Sequence, residues 1–428
     1  MEKISILGVK ETIYKEVLDN GLEVIMYPMK NVSDFSVKLT TKYGNDYVKF
    51  KHEGDSKWIE TPFGVAHFLE HLTFHMDGYE AMDVITKDGN YSNAYTNSDC
   101  TTYVLSGTIN YEKDLAFLLK YVFTPYYTSE TVEKERGIIR EEAKRSFDNV
   151  DNQFYYNCKK AIYKNNHHRD YVTGSVEDVD NITIDDITNA YNTFYKPSNM
   201  FLVICGSIDV DKSLDIIKST LNEFDFKNEG KVVVEDVDEQ VEVYKHESII
   251  EDKVNIIKTS VSFKMPFSYF SSLKLSTRDL YRYLHFIFTI NFGATSDFAI
   301  DIENNNIAPS SPSVYVEIED NFFIGTIEIT TNKDKEYIEL LKKYISNISV
   351  DEQSIIRKRN SVIGNYIMHF DDSNDVNHDI GSDILMFGDY APDEMEKLNN
   401  LDINMINKII KLIDKNNYSI IKLVPKKK

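Results

Sequence analysis

The chain has 428 residues, 42% of them hydrophobic, a net charge of −21 and a sequence pI near 4.9. The acid excess runs through both halves. That argues against binding nucleic acid or an anionic membrane surface, both of which need basic patches. A chain this long exceeds one ordinary hydrophobic core, so two domains of roughly 200 residues are expected.

The first signals along the chain are extended. Asn20-Gly21 is a turn signal, and 22–28 after it reads as a strand. The segment beginning Phe35-Ser-Val-Lys-Leu reads as a second strand. A helical stretch follows Pro62, 101–106 reads as a strand, and 112–124 as an amphipathic helix. Residues 130–147 are strongly helical in composition around Ile138 and Ile139. Ile182-Thr183, followed by Asp185 and Asp186, is a capped helix start, and that helix ends before Pro197. Residues 200–205 read as a buried strand closed by Gly206.

Residues 226–247 are charged and aperiodic, the expected linker between a first domain, 1–225, and a second, 248–428. The order then repeats: a strand at 257–263, a helix at 272–290, strands at 313–330, helices at 335–347 and 351–369, a last helix and a strand at 418–424. Two successive α+β units of similar length suggest a duplicated fold.

Cys100, Cys158 and Cys205 are far apart and form no CxxC pair, so neither a disulfide framework nor a cysteine zinc site is expected. The N-terminus has no apolar run long enough for a signal peptide. No window approaches the ~18 uncharged apolar residues of a membrane span. The cytoplasm is the simplest expected location.

The chemistry lies in Phe63-Gly-Val-Ala-His67-Phe-Leu-Glu70-His71. On an α-helix, a spacing of four residues is about 400°, so His67 and His71 share one face about 6 Å apart along the axis. That suits two ligands of one tetrahedral metal, with Glu70 on the same side to reach a water. This is the H-x-x-E-H arrangement. A third ligand is needed, and the helix at 130–147 is the best source. Glu135 and Glu142 are seven residues apart and face the same way, whereas Glu141 points about 100° away. His75 reads as a polar residue at a helix end, and His167 and His168 as structural or rim residues.

Around this motif the sequence resembles the insulinase/pitrilysin superfamily of inverted-motif zinc metallopeptidases, particularly its half-length members. The matching segments are Gly64–His71, Asn93-Ala-Tyr-Thr96 with Thr102-Tyr103, and Glu135–Glu142. Gly174 after His168, Tyr195–Met200 and Gly206 continue the match, and 292–296 and 363–367 match more weakly.

The resemblance implies two homologous α/β-sandwich domains, each a mostly antiparallel sheet covered by helices. It implies one zinc per chain held by His67, His71 and Glu142, with Glu70 as general base and Glu135 as an outer group orienting the site. It also implies that Asn93, Ala94 and Tyr95 lie on an edge strand that holds a peptide as an added β-strand. The expected activity is that of a zinc endopeptidase, processing leader or precursor peptides.

One departure stands out. Full-length members carry an Arg and a Tyr, seven residues apart, in the C-terminal half. The equivalent stretch here, 297–309, contains neither, and no arginine occurs between Arg282 and Arg357. Oxyanion donors would then come from a related subunit without zinc, in a heterodimer rather than a homodimer, unless Tyr315 or another arginine substitutes. Two other readings are a non-catalytic subunit of such a pair and a non-haem iron site, since two His and a carboxylate also suit Fe(II). If two subunits enclose a chamber, acidic walls would favour basic peptides.

Overall fold

Seven strands form the first sheet, in the order Glu2–Ser5, Thr12–Val17, Glu23–Pro28, Met200–Gly206, Phe35–Thr41, Thr101–Gly107, Tyr91–Thr96. Five form a second, in the order Glu247–Asp252, Tyr418–Pro425, Lys258–Pro266, Phe322–Thr330, Ser313–Glu319. The computed structural model describes residues 1–226 and 230–426, and part of the expected linker, 227–229, lies outside them.

The two sheets share a strand order. From Glu23–Pro28 to Tyr91–Thr96, the first sheet runs first, last, second, fourth, third in chain order, and the second sheet does the same. In each, the first and last strands pair in parallel, and the remaining neighbours are antiparallel. The fold class is therefore the expected α+β duplication, with mostly antiparallel sheets and covering helices.

Pleating explains the central strand of the first unit. Leu202 and Ile204 join the core that holds Val24, Leu39, Phe68 and Leu105. Their alternates Phe201, Val203 and Cys205 join another with Ile25, Val376 and Ile380. Both faces are buried, so 200–205 is continuously apolar rather than alternating.

The division of the chain differs from the contiguous halves expected. The first unit comprises 1–146, 170–236 and 365–395; the second comprises 147–169, 237–364 and 396–428. Packing is the reason. Helix Ser373–Phe387 places Val376, Ile380 and Ile384 on the first sheet, and Asn377 donates from Nδ2 to the carbonyls of Ser36 and Val203. Helix Val150–Ile162 places Phe154, Cys158 and Ala161 against Ile421 and Leu423 of the second sheet. Each unit thus recruits a helix from beyond the boundary read from sequence. The expected linker is not free either: Val232–Val234 pairs with Lys49–His52, which belongs to the first unit.

Candidate metal centre

Residues 65–73 form the motif helix, with Val65, Ala66, Phe68, Leu69 and Leu72 buried. Two glycines set where it starts. Gly64 has φ +87°, and a Cβ there would lie 2.6 Å from the Thr173 carbonyl oxygen. Gly174, at φ +68°, has the same relation to Phe63, whose carbonyl oxygen its Cβ would meet at 2.6 Å. Only glycine accepts both the left-handed backbone and the close approach. Asn45 Oδ1 accepts the Gly64 N–H at 2.9 Å. At the other end, the buried Tyr103 hydroxyl donates to Thr73 Oγ1 at 2.9 Å.

The second element is helix Ser129–Asp148. Val132, Glu135, Ile139 and Ala143 form its buried stripe. Glu135 is a carboxylate within an otherwise apolar face, and so needs partners. Arg136 fixes the helix by donating to the carbonyls of Val179 and Ile182. Glu141 is exposed and pairs with Lys144 at 2.6 Å.

These helices bring His67, His71 and Glu142 together, with one ligand atom from each lying within 4.8 Å of the others. His67 Nε2 is 3.8 Å from Glu142 Oε1, and His71 Nε2 is 3.5 Å from Glu142 Oε2. Behind them, Glu135 Oε2 lies 3.1 Å from His71 Nδ1, and its Oε1 lies 3.0 Å from His75 Nε2. His75 Nδ1 is in turn 2.8 Å from Glu80. A line of contacts therefore runs Glu142–His71–Glu135–His75–Glu80.

The electrostatics follow from burial and these contacts. Burial, with His71 beside it, pushes the His67 imidazole down to about 4. Burial alone would lower His71 too, but hydrogen bonds to Glu135 and Glu142 raise it to about 9. Burial works against the Glu135 charge, yet its two imidazole partners hold it at about 2. His71 also lowers the Glu142 carboxyl. Glu70 is raised by burial, against the opposing effect of Thr96, whose hydroxyl donates to its Oε2 at 2.6 Å.

Two imidazole nitrogens and one carboxylate oxygen make a three-ligand set that leaves a fourth position for water. The buried His67 Nδ1 has no hydrogen-bond partner among the described residues, while its Nε2 faces Glu142. The donors fit a divalent metal such as zinc.

Comparison with known proteins bears on what holds such a cluster. Residues 60–175 match the family model described as Insulinase (Peptidase family M16), and 181–297 match the Peptidase M16 inactive domain. The chain belongs to the insulinase/pitrilysin superfamily.

Within this superfamily, it is 34% identical over 255 residues to the Bacillus subtilis protein described as "uncharacterized zinc protease YmfH". That match covers 60% of each chain, so the whole relative is longer than the stretch compared. A Rickettsia felis protein, also described as an uncharacterized zinc protease, is 25% identical over 94% of this chain and 96% of its own. An M16-like peptidase from Alicyclobacillus acidocaldarius has the same fold, with a TM-score of 0.91 at 23% identity over 98% of this chain and 100% of its own.

The superfamily pattern did not single out two residues that the structure adds. His75, read as a helix-end polar residue, is buried against Glu135 and Glu80. Its signal was its spacing of four from His71, but the helix ends at Thr73 and His75 opens the short strand His75–Met76, so helical geometry does not place it. Thr96 lies in a quoted segment, but only folding shows that it meets Glu70. Asn93 and Tyr95 are exposed on the edge strand Tyr91–Thr96, and the Ala94 side chain is buried. Ala94 can therefore offer a ligand only its backbone. Tyr315 donates its hydroxyl to Glu328 at 3.2 Å.

Proposed function

We propose that the chain is a zinc-dependent endopeptidase. The observation that carries this reading is the convergence of His67, His71 and Glu142, with Glu70 on the same helix. When bound, zinc supplies Lewis acidity that polarises the scissile carbonyl and makes water nucleophilic near neutral pH. Glu70 takes the proton of the attacking water and hands it to the leaving amine nitrogen. Its raised pKa suits both roles. Glu135 holds the Nδ1 proton of His71, which leaves Nε2 free to ligate. The iron reading gives Glu70 no task, and zinc is preferred.

The substrate is a peptide laid as an added strand along Tyr91–Thr96, through main-chain bonds that tolerate many side chains. Removal of leader or precursor segments fits this tolerance. The 297–309 stretch lacks arginine and tyrosine, so a related subunit without zinc supplies the oxyanion donors in a heterodimer. Acidic walls would draw basic peptides, an effect that weakens with salt.

That same absence supports a second reading, in which the chain is a non-catalytic partner. Elemental analysis for zinc, followed by peptide cleavage with and without chelator, separates the two. The assay is run on the chain alone and with a paralogue. Stoichiometric zinc with chelator-sensitive cleavage supports the enzyme. Zinc without cleavage in either format supports the partner role.

A further inference from the structure

The second unit contains a cavity of about 440 Å³. One wall is the helix Glu352–His369, through Ser354, Arg357, Lys358 and Ser361. These positions are spaced i, i+3, i+4, i+7, so they form one helical face. A helix face turned toward a wall is ordinarily apolar, and this one carries two cations and two hydroxyls. Across from it, Gly293 and Thr295 belong to the turn between helices Thr277–Phe292 and Asp297–Asn304.

Charge makes the cavity unusual. The chain carries −21 overall, yet no carboxylate lines this space among the described residues. Among the described residues, Arg357 donates only to Ser354 Oγ, at 3.0 Å, and Asp351 in turn accepts from that hydroxyl at 2.9 Å. Lys358 is half-buried and has neither a hydrogen bond nor a carboxylate partner among the described residues. Burial holds its ammonium below the usual lysine range. A half-buried cation without a counter-charge is costly unless something outside the chain neutralises it.

We propose that this cavity binds a small organic oxyanion carrying two or more negative charges, a phosphate ester or a polycarboxylate. Its volume falls in the range of small-molecule sites, about 300–1,000 Å³, and exceeds what a lone inorganic ion needs. Lys358 contributes a point charge, Arg357 a planar fork for oxygen pairs, and the hydroxyls of Thr295 and Ser361 complete the donor set. The cavity shares no residue with the metal cluster, and its assignment does not depend on the peptidase reading.

Calorimetric titration of the full chain with inorganic phosphate and with succinate tests it. The expected result at low salt is saturable binding of one anion per chain by at least one of them, weakening as salt rises. Phosphate binding alone would assign a phosphate ester, succinate binding alone a carboxylate, and both the shared oxyanion chemistry. Lys358→Met and Arg357→Gln are each expected to weaken binding about tenfold or more, the effect of losing a charged hydrogen bond. Lys342→Met removes the same charge from an exposed position on another helix and should leave affinity unchanged. No saturable binding of either anion, or equal losses in the Lys358 and Lys342 variants, would overturn the proposal. Arg357 is exposed, so Arg357→Gln carries the test if Lys358→Met does not fold.

Discussion

His75 Nε2 lies 3.0 Å from Glu135 Oε1, the carboxylate oxygen that does not face His71. One buried carboxylate thus holds two imidazoles, and Glu80 supports the outer one at 2.8 Å. Removing His75 leaves a Glu135 oxygen buried without a donor and loosens the group that orients His71. His75→Ala is expected to lower zinc affinity about 10–100-fold, the usual effect of losing an outer-shell partner. His75→Gln keeps a donor and should lose less. Competition with a chromogenic chelator measures both, and equal affinities for His75→Ala and wild type would remove His75 from the site.

Glu70 and Thr96 form the second testable pair. Glu70→Gln should keep zinc and lose cleavage by at least about 10²-fold, the scale of general-base catalysis. Thr96→Val removes a hydroxyl that lowers the Glu70 pKa. Its acid limb in kcat/KM should therefore move to higher pH than wild type. Full activity in a clean, zinc-loaded Glu70→Gln preparation would refute the assignment.

Zinc uptake should depend on pH through His71. The imidazole must lose a proton to ligate, and without metal it holds that proton up to about 9. Affinity is therefore expected to rise about tenfold per pH unit in the neutral range and to level off above the His71 pKa. Stability of the metal-free protein runs the other way. A folded pKa raised above the unfolded value of about 6.5 stabilises fully below 6.5, and the gain is lost as pH climbs through the folded value. Zinc titrations and urea melts across this window check both signs.

Gly64 sets the start of the motif helix. Gly64→Ala places a Cβ 2.6 Å from the Thr173 oxygen at a φ of +87°. A strained backbone of this kind costs about 1–3 kcal/mol. The urea midpoint should fall, and zinc affinity should drop with it as the helix shifts. An unchanged midpoint would mean that the Thr173 segment gives way freely.

Much of this protein can be read without its fold. Periodicity and composition placed elements such as Phe35–Thr41, Ser129–Asp148 and Met200–Gly206 within a few residues, because burial of one face or both marks the sequence, but they did not give strand Thr12–Val17 or helices Val150–Ile162 and Val210–Leu221. The spacing of His67, Glu70 and His71 needs nothing beyond one helix. Glu135 and Glu142 are likewise aligned by helical geometry, and their place beside the histidines came from the superfamily pattern.

Other features depend on residues distant in the chain. His75 meeting Glu135, a separation of 60 residues, and Thr96 meeting Glu70 depend on which helix and strand pack together. Local periodicity does not encode that choice. The discontinuous units have the same origin: Ser373–Phe387 is amphipathic on any sheet, and only complementary packing selects Ile25 and Val203 as its partners. In sequence, Glu352–His369 reads only as a helix, with nothing to say what its cationic face meets. Tertiary structure decides that the face of Ser354, Arg357, Lys358 and Ser361 lines a cavity, because the facing residues, Thr289 to Thr295, come from a helix and turn distant in the chain.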